Sequence, residues 1–276
     1  MSKIWLITGS SRGLGRALTE AVLAAGDRAV ATARTPEQLD DLVTKYGDQL
    51  RAVALDVTDA GAARGAVRTA VAEFGRLDVV ANNAGYANSA SIEEMTDDDF
   101  RAQIETNLFG VVNVTKAALP VFREQQGGHF LQFSSIGGRV GGTPGMGAYQ
   151  TAKFGVEGFS EVLSNEVRPF GVKVTIVEPG GFRTDWGGSS MQLHEVHPAY
   201  ASTVGAMHRR RLETDGKQPG DPAKAAQAIL EIVALENPPL RLLLGSDALQ
   251  LAQSSSTARA EEAAAWAHLT TSTDFN

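Results

Sequence analysis

The segment Thr8-Gly9-Ser10-Ser11-Arg12-Gly13-Leu14-Gly15 decides the fold, because it joins a short apolar run, Lys3–Thr8, to a helical pattern over Gly13–Ala25. In a βα turn of this kind the first glycine permits a sharp exit from the strand. The second lets the backbone approach a pyrophosphate, and the third lets the helix pack closely on the sheet. The helix start then offers N–H groups and a positive dipole end to a phosphate. The alternative is a glycine-rich turn without a ligand, and the spacing Gly-x3-Gly-x-Gly departs from the commoner Gly-x-Gly-x2-Gly pattern.

After this turn, short apolar segments alternate with segments whose apolar residues recur at helical spacing. The predicted strands are Lys3–Thr8, Arg28–Ala33, Arg51–Leu55, Leu77–Ala81, His129–Ser134 and Val172–Glu178, with Leu240–Leu244 as a possible seventh. The predicted helices are Gly13–Ala25, Pro36–Tyr46, Asp59–Phe74, Asp97–Glu124, Ala148–Arg168 and Asp221–Leu235. Continuously apolar strands are typical of a sheet covered on both faces. The alternation therefore predicts an α/β fold, a Rossmann-type doubly wound parallel sheet of about seven strands with helices on both faces.

Composition narrows the functional class. A net charge of −7 argues against a nucleic-acid partner, which would need a basic surface. The absence of cysteine excludes disulfides, thiolate metal sites and a cysteine nucleophile. Neither a signal peptide nor an apolar stretch of membrane-spanning length is recognisable, so we expect no membrane partner and a cytoplasmic enzyme. With no linker or internal repeat, residues 1–276 are interpreted as one domain.

The residue after the second strand bears on cofactor choice. In dinucleotide folds an acidic residue at this point binds the adenosine ribose hydroxyls. Here the strand is followed by Arg34, and the first acidic residue is Glu37, inside the next helix. A guanidinium there can pair with a 2′-phosphate, with Arg12 as a second cation. We therefore expect NADP(H) to be favoured and NAD(H) to be possible, unless Arg34 is only a solvated surface cation.

Tyr149 and Lys153 lie four residues apart in a predicted helix, which places them on one face. A nearby ammonium favours the phenolate, lowers the tyrosine pKa and suits the phenol to acid–base work on a carbonyl or alcohol. Ser135 follows the fifth strand, at the sheet edge where open α/β sheets bind ligands, and could polarise the substrate oxygen. Each feature has a plainer alternative, a surface pair for Tyr149 and Lys153 and a turn or cap role for Ser135.

Together these segments resemble the classical short-chain dehydrogenase/reductase (SDR) family. The resemblance runs in order from residue 3 to about residue 184, and more weakly to about 245. The glycine turn is similar to the family's cofactor turn. Further similar segments are Asp56-Val57, Asn82-Asn83-Ala84-Gly85, Thr106-Asn107-Leu108-Phe109-Gly110 and Pro179-Gly180-Gly181-Phe182-Arg183-Thr184. The loop from Ser135 to Tyr149 departs from the pattern by one extra residue, which leaves Ser134 as a minor alternative to Ser135.

The resemblance implies a catalytic tetrad of Asn107, Ser135, Tyr149 and Lys153. Tyr149 would be the general acid/base, and Lys153 would lower its pKa and hold the nicotinamide ribose. Ser135 would position the substrate oxygen, and Asn107 would support a water relay to Lys153. The expected cofactor contacts are Gly9, Ser10, Ser11, Arg12, Gly13, Leu14, Gly15, Arg34, Asp56, Val57, Asn83, Ala84, Gly85, Tyr149, Lys153, Pro179, Gly180 and Thr184. No metal is expected.

The predicted function is hydride transfer between NADP(H) and a carbonyl or secondary alcohol of a moderately apolar small molecule. Three alternatives are a nucleotide-sensing regulator without significant turnover, a sugar-nucleotide epimerase or dehydratase, and a purely structural or interaction protein. The regulator would usually lose the Tyr–Lys pair, and the epimerase would normally carry a longer substrate domain.

Two segments lie outside the sheet pattern. Residues 185–220 are interpreted as a substrate lid, in which Trp186, Met191, Tyr200 and Met207 could form an apolar wall or simply pack the lid onto its domain. His194 and His197, in the same segment, are expected to be solvated or satisfied within the fold rather than to bind a ligand. Residues 246–276 predict a tail with an Ala-rich helix at Ala258–His268. The SDR resemblance further implies a homo-oligomer, a dimer or tetramer formed through the helices at Asp97–Glu124 and Ala148–Arg168.

Overall fold

Seven parallel strands form the main sheet in a computed structural model that describes residues 2–186 and 191–275. The strands are β1 (Ile4–Ile7), β2 (Arg28–Ala33), β3 (Leu50–Ala54), β4 (Val79–Asn82), β5 (Gly128–Phe133), β6 (Val172–Pro179) and β7 (Arg241–Leu244). Their spatial order is β3-β2-β1-β4-β5-β6-β7, and every pairing is parallel. The order reverses between β1 and β4, which opens a crevice at the carboxyl edge. The predicted doubly wound fold and its seventh strand are confirmed.

The helices that follow the strands cover both faces of the sheet. They are α1 (Gly13–Ala24), α2 (Asp40–Tyr46), α3 (Ala60–Phe74), α4 (Asp97–Ile104), α5 (Gly110–Gln125), α6 (Ile136–Arg139), α7 (Gly147–Val167), α8 (Val204–Thr214), α9 (Pro222–Ala234), α10 (Ser246–Ala265) and α11 (Ala267–Thr271). Short 3₁₀ turns occupy Pro36–Leu39, Gly47–Gln49, Arg168–Phe170 and Pro198–Tyr200.

Two hydrophobic cores explain why the strands are apolar along their whole length. On one face, α1 and α9 pack Leu18, Val22 and Ile229 against the sheet. On the other face, α3 and α5 contribute residues such as Val67 and Phe122, which is fully buried against Phe130 of β5. Since both faces are covered, every side chain of β1 is buried, and solvent reaches the sheet mainly at its edges.

The structure divides one predicted helix and lengthens another. The helix predicted over Asp97–Glu124 is interrupted by one π-type turn, Glu105–Phe109, before it continues as α5. The predicted tail helix begins earlier than expected, as α10 at Ser246, and is mostly exposed beyond Ala252. Within residues 2–186 and 191–275, none of the helices combines the length and apolar character that a membrane crossing requires.

Candidate active site

A cavity of about 810 Å³ lies along the carboxyl edge of the sheet. Most of the residues expected to bind cofactor or act on substrate line it: Gly9, Ser11, Arg12, Gly13, Leu14, Arg34, Asp56, Val57, Asn83, Ala84, Gly85, Asn107, Ser135, Tyr149, Lys153, Pro179, Gly180 and Thr184. The parallel arrangement brings them together, because each follows or flanks a strand that ends at this edge.

Two residues of the glycine turn lie outside the cavity lining and hold the turn in shape. The buried Ser10 hydroxyl donates to the Ile7 carbonyl, 2.9 Å away. A Cβ on Gly15 would approach the Gly9 carbonyl oxygen to 2.2 Å, so only glycine fits where α1 meets the turn. Both residues therefore shape the turn without lining the cavity in which a cofactor would bind.

The start of α1 provides donors that face the cavity. Gly9 and Gly13 both adopt positive φ angles, 68° and 59°, which steer the chain into the helix. Within the described part of the chain, no side chain caps α1 at Arg12, and its first turn contains no acidic residue. By contrast, Asp59 and Asp221 cap α3 and α9 through their carboxylates. The uncapped N–H groups of α1 fit a pyrophosphate.

Asn107 is positioned by the π-type turn. Its amide nitrogen donates to the carbonyls of Tyr86 and Gln103, at 2.9 and 2.8 Å, and its amide oxygen accepts from the Tyr86 N–H at 3.1 Å. A Cβ on Gly85 would lie 2.5 Å from the Asn107 amide oxygen. The π-type turn thus directs the buried Asn107 amide toward Gly85 and Tyr86, which follow β4. Turns of this type often occur at functional sites.

The Tyr149 phenol, the Ser135 hydroxyl and the Lys153 ammonium meet at one end of the cavity. Ser135 caps α6 by accepting from the Gly137 N–H at 3.0 Å, and its hydroxyl lies close enough to the phenol to act against the rise in the Tyr149 pKa. Lys153 lies one turn after Tyr149 on α7, its Nζ 5.7 Å from the Tyr149 ring centre. The same Nζ donates to the Phe133 carbonyl at 2.7 Å. Ser135 therefore combines its cap role with a contact to Tyr149.

Ser134, the minor alternative, has a different environment. Its hydroxyl is buried and lies 3.4 Å from the Lys153 carbonyl, so it is directed at the backbone of α7. A Cβ on Gly138 would come within 2.5 Å of that hydroxyl. The geometry favours Ser135 as the residue that meets the substrate oxygen.

Burial sets the charge states at this end of the cavity. It raises the pKa of Tyr149 to about 12, although the Ser135 hydrogen bond and the charge of Arg211 act to lower it. Burial also lowers the pKa of Lys153 to about 8, against the opposing effect of Glu157. The expected depression of the Tyr149 pKa is absent from this structure, because desolvation outweighs the nearby charges. Tyr149 accordingly keeps its proton at neutral pH.

Two cations and one carboxylate that is already hydrogen-bonded within the protein lie at the other end of the cavity. Arg12 and Arg34 are exposed at its rim and form no ion pair with any described residue. The Asp56 carboxylate accepts from the backbone and hydroxyl of Thr58, at 2.9 and 2.8 Å. These bonds, together with the charge of Arg34, lower the Asp56 pKa. Glu37 does not reach the cavity.

The lid residues divide into two groups. Trp186 and Met191 pack against Tyr149, with the Trp186 and Tyr149 ring centres 5.1 Å apart. Tyr200 instead donates to Glu93 at 2.5 Å on the surface, and Met207 does not line the cavity. His194 lies 3.3 Å from Asp99, and His197 accepts from the Ala199 N–H. His197 is therefore satisfied within the fold, whereas the buried Nε2 of His194 has no hydrogen-bond partner among the described residues. Only part of the predicted apolar wall reaches the phenol.

Arg211 was not predicted, and it lines the cavity near Tyr149. It is the last of three consecutive arginines on α8, Arg209-Arg210-Arg211, a run that is typical of a solvated helix face. Nothing in the sequence distinguishes the third arginine from its exposed neighbours. Among residues 2–186 and 191–275 there is no cluster of His, Asp or Glu that could hold a metal ion.

Comparisons with known proteins agree with this geometry. A family model described as short chain dehydrogenase matches residues 3–193. The chain is 53% identical over 253 residues to Oxidoreductase BOA17 of Botryotinia fuckeliana, covering 91% of this chain and 92% of that protein. It resembles a crystal structure of a short-chain dehydrogenase from Streptomyces avermitilis, with 42% identity, a TM-score of 0.93 and full coverage of both chains. An alcohol dehydrogenase from Thermococcus sibiricus complexed with 5-hydroxy-NADP is 26% identical, with a TM-score of 0.71 over 88% of this chain and 96% of that one.

Proposed function

The chain belongs to the short-chain dehydrogenase family and is an NAD(P)-dependent oxidoreductase, and from this premise we propose that it transfers a hydride between NADP(H) and a moderately apolar carbonyl or secondary alcohol. One observation carries the proposal. A protonated phenol and a hydroxyl meet at one end of a cavity whose other regions offer uncapped helix N–H groups and two arginines. The intact Tyr149–Lys153 pair argues against a sensor that binds nucleotide without turnover.

The protein residues divide the proton chemistry among them. When bound, the nicotinamide supplies or accepts the hydride. The neutral Tyr149 phenol is in the form that donates a proton to a carbonyl oxygen as negative charge develops there. Ser135, whose hydroxyl lines the cavity near that phenol, adds a second donor toward the same oxygen. Lys153 is anchored at the Phe133 carbonyl beside them, where its charge favours the phenolate after the proton has left.

The preference for NADP(H) rests on the residues at the adenosine end. Arg12 and Arg34 are available to a 2′-phosphate, and guanidinium groups bind phosphate through paired, charge-assisted hydrogen bonds. Among the described residues that line this end, Asp56 provides the carboxylate, and it is committed to Thr58. An acidic residue that would bind both ribose hydroxyls and repel a phosphate is missing from the described lining of this end.

Tyr149→Phe tests the proposed chemistry. We expect kcat for reduction of a neutral ketone by NADPH to fall by about 100- to 10,000-fold, because the general acid is lost. The dissociation constant for NADPH, measured by fluorescence titration, should stay within a few-fold of the wild-type value. A variant that keeps more than a tenth of the wild-type kcat would overturn the assignment of Tyr149.

Arg34→Gln tests the cofactor preference. We expect kcat/KM for NADPH to drop by about 10- to 100-fold, since a charge-assisted contact is lost, while the value for NADH changes little. Arg183→Gln is a matched control, because Arg183 is also exposed but donates to the Gln218 carbonyl rather than lining the cavity. Equal losses with NADPH and NADH would contradict a 2′-phosphate contact.

We also propose that the protein acts in the cytoplasm as a homodimer or homotetramer. Support for assembly comes from three exposed apolar side chains, Phe109, Phe154 and Val162, which lie in or between the helices expected to pair. Exposed patches of this kind often mark interfaces. A monomer at micromolar concentration in light scattering would overturn the assembly.

A further inference from the structure

Arg211 occupies the substrate half of the cavity. It lies on α8, close enough to Tyr149 for their charges to interact, and its Nη1 donates to the Met191 sulfur at 3.5 Å. Met191 in turn packs with Trp186 around the Tyr149 ring. Met191 therefore contacts the guanidinium and also belongs to the apolar cluster around the phenol.

No carboxylate of the described chain neutralises Arg211. It takes part in no salt bridge among residues 2–186 and 191–275, and its buried Nε has no hydrogen-bond partner there. Residues 187–190, Gly-Gly-Ser-Ser, lie outside the described chain and contain no acidic side chain. A guanidinium cannot lose its proton to escape the cost of burial. Arg211 is therefore a partly buried cation that faces a cavity and contacts no anion of the described chain.

The charges around the cavity differ from those of the whole protein. The chain has a net charge of −7, yet four cationic residues and two acidic residues line this cavity. The cations are Arg12, Arg34, Lys153 and Arg211, and the acids are Asp56 and Asp185. Arg12 and Arg34 suit the nucleotide phosphates, and Lys153 is held at the Phe133 carbonyl. Arg211 is the remaining cation, at the end where the substrate reacts.

We propose that Arg211 binds a carboxylate of the substrate, so that the enzyme acts on oxo acids or hydroxy acids in which an apolar spacer separates the carboxylate from the reacting carbon. This inference rests on the proposed function, because it names the substrate class of the same site. A single guanidinium matches a carboxylate, with which it forms two parallel hydrogen bonds. Trp186 and Met191 supply apolar surface for the spacer between that carboxylate and the oxygen at Tyr149.

A phosphate-bearing substrate fits less well. A phosphate monoester carries nearly two charges at neutral pH, and a second cation would be expected beside it. The nearest such candidate on α8, His208, is engaged with the Ser89 hydroxyl at 2.8 Å, and burial lowers its pKa. His208 therefore does not supply the second cation that a phosphate monoester would need beside Arg211.

The test compares carboxylates with their neutral methyl esters. Laevulinate and para-acetylbenzoate, each against its ester, are assayed with NADPH in the wild-type protein, Arg211→Met, Arg211→Lys and Arg210→Met. We expect the wild type to prefer the carboxylate by about 10- to 100-fold in kcat/KM, and Arg211→Met to abolish that preference while leaving the esters within a few-fold. Arg211→Lys should keep part of the preference. Arg210→Met, an exposed neighbour on α8, should keep all of it.

Binding provides a second measurement that does not depend on turnover. Calorimetric titration of para-acetylbenzoate into Tyr149→Phe with NADPH bound should show at least tenfold weaker binding once Arg211→Met is added. Failure of every ketone to react, with carboxylate-selective binding retained, would reject the proposed function but keep Arg211 as a carboxylate-binding residue. Equal kcat/KM for acids and esters in the wild type, or no carboxylate binding, would overturn it.

Two further outcomes would also overturn the inference. A preference for dihydroxyacetone phosphate over every carboxylate would assign Arg211 to phosphate recognition. A loss of NADPH affinity of tenfold or more in Arg211→Met without substrate would assign it to the nucleotide.

Discussion

Arg241 and Arg211 each place a guanidinium among buried groups, but the protein surrounds the two cations in opposite ways. Arg241, on β7, contacts the carboxylates of Glu157, Glu161 and Glu178, with its Nη1 2.7 Å from Glu178. Arg211 contacts a methionine sulfur and no carboxylate among the described residues. One cation is held by three protein anions, whereas the other faces an open cavity.

The two arginines therefore have different roles, Arg241 in the fold and Arg211 at the cavity. Glu178 is fully buried and also receives Arg139 at 3.2 Å, so the cluster joins β6, β7, α6 and α7 behind the catalytic helix. Burial by itself would lower the pKa of Arg241, but its hydrogen bonds with Glu178 and Glu161 and the charge of Glu157 raise it. Burial also raises the pKa of Glu157, which lies one turn beyond Lys153 on α7. An arginine satisfied in this way supports the fold, whereas an unsatisfied one beside a reactive group is suited to a ligand.

Arg241→Met should have the largest effect on stability. It leaves the fully buried Glu178 and the largely buried Glu157 without their shared cation, so we expect the free energy of unfolding to fall by about 3 kcal/mol. Urea denaturation followed by circular dichroism measures this loss. Glu161→Gln, at the half-exposed side of the cluster, should cost less than about 1 kcal/mol. Equal, small losses in both variants would show that solvent, not Arg241, satisfies the carboxylates.

His129 represents a third way to bury a basic group, which is to discharge it. Its Nε2 lies 2.9 Å from the Thr175 hydroxyl, which donates its own hydrogen to the Pro239 carbonyl. The imidazole must therefore donate to Thr175 through Nε2. Burial, with the charges of Lys173 and Lys3, lowers the His129 pKa to about 3, so the ring is neutral in the folded protein.

This histidine predicts a dependence of stability on pH. Between pH 6.5 and 3 the unfolded chain binds a proton at His129 that the folded protein does not, so stability is lost as the pH falls. The expected slope is about 1.4 kcal/mol per pH unit below 6.5, measured by urea denaturation from pH 6.5 to 5. His129→Gln keeps a donor for Thr175 but cannot titrate, and its slope should be shallower by that amount. Parallel slopes would mean that His129 charges without unfolding the protein.

Much of the fold could be predicted from sequence because each signal was local. Continuous apolar runs gave all seven strands to within one or two residues, for example Leu240–Leu244 for β7. Asp59 and Asp221 mark the starts of α3 and α9, where their carboxylates accept from N–H groups of the first turn. The π-type turn at Glu105–Phe109 could not be predicted, because it depends on Asn107 reaching Tyr86 across a loop.

The candidate site likewise contains residues that local sequence predicted and residues that it did not. Glycine spacing and strand-end positions predicted residues that share an edge of the sheet, and these line one cavity. The high pKa of Tyr149 and the position of Arg211 could not be predicted, because both depend on how Trp186, Met191 and α8 pack around the phenol. In the sequence Arg211 is one of three equivalent arginines, and only the tertiary structure shields the third in part from solvent.

Arg211→Met should have the smallest effect on stability and is the sharpest test of the comparison. The variant removes a partly buried cation without leaving a protein anion unpaired, so we expect the free energy of unfolding to change by less than about 1 kcal/mol or to rise slightly. Arg210→Met, on the exposed side of α8, controls for net charge and helix propensity, and urea denaturation of both variants beside Arg241→Met provides the measurement. If Arg211→Met cost as much as Arg241→Met, Arg211 would be a cation that the fold itself requires. The charge of Arg211 would then need no substrate to complete it, and a substrate carboxylate would no longer be expected beside it.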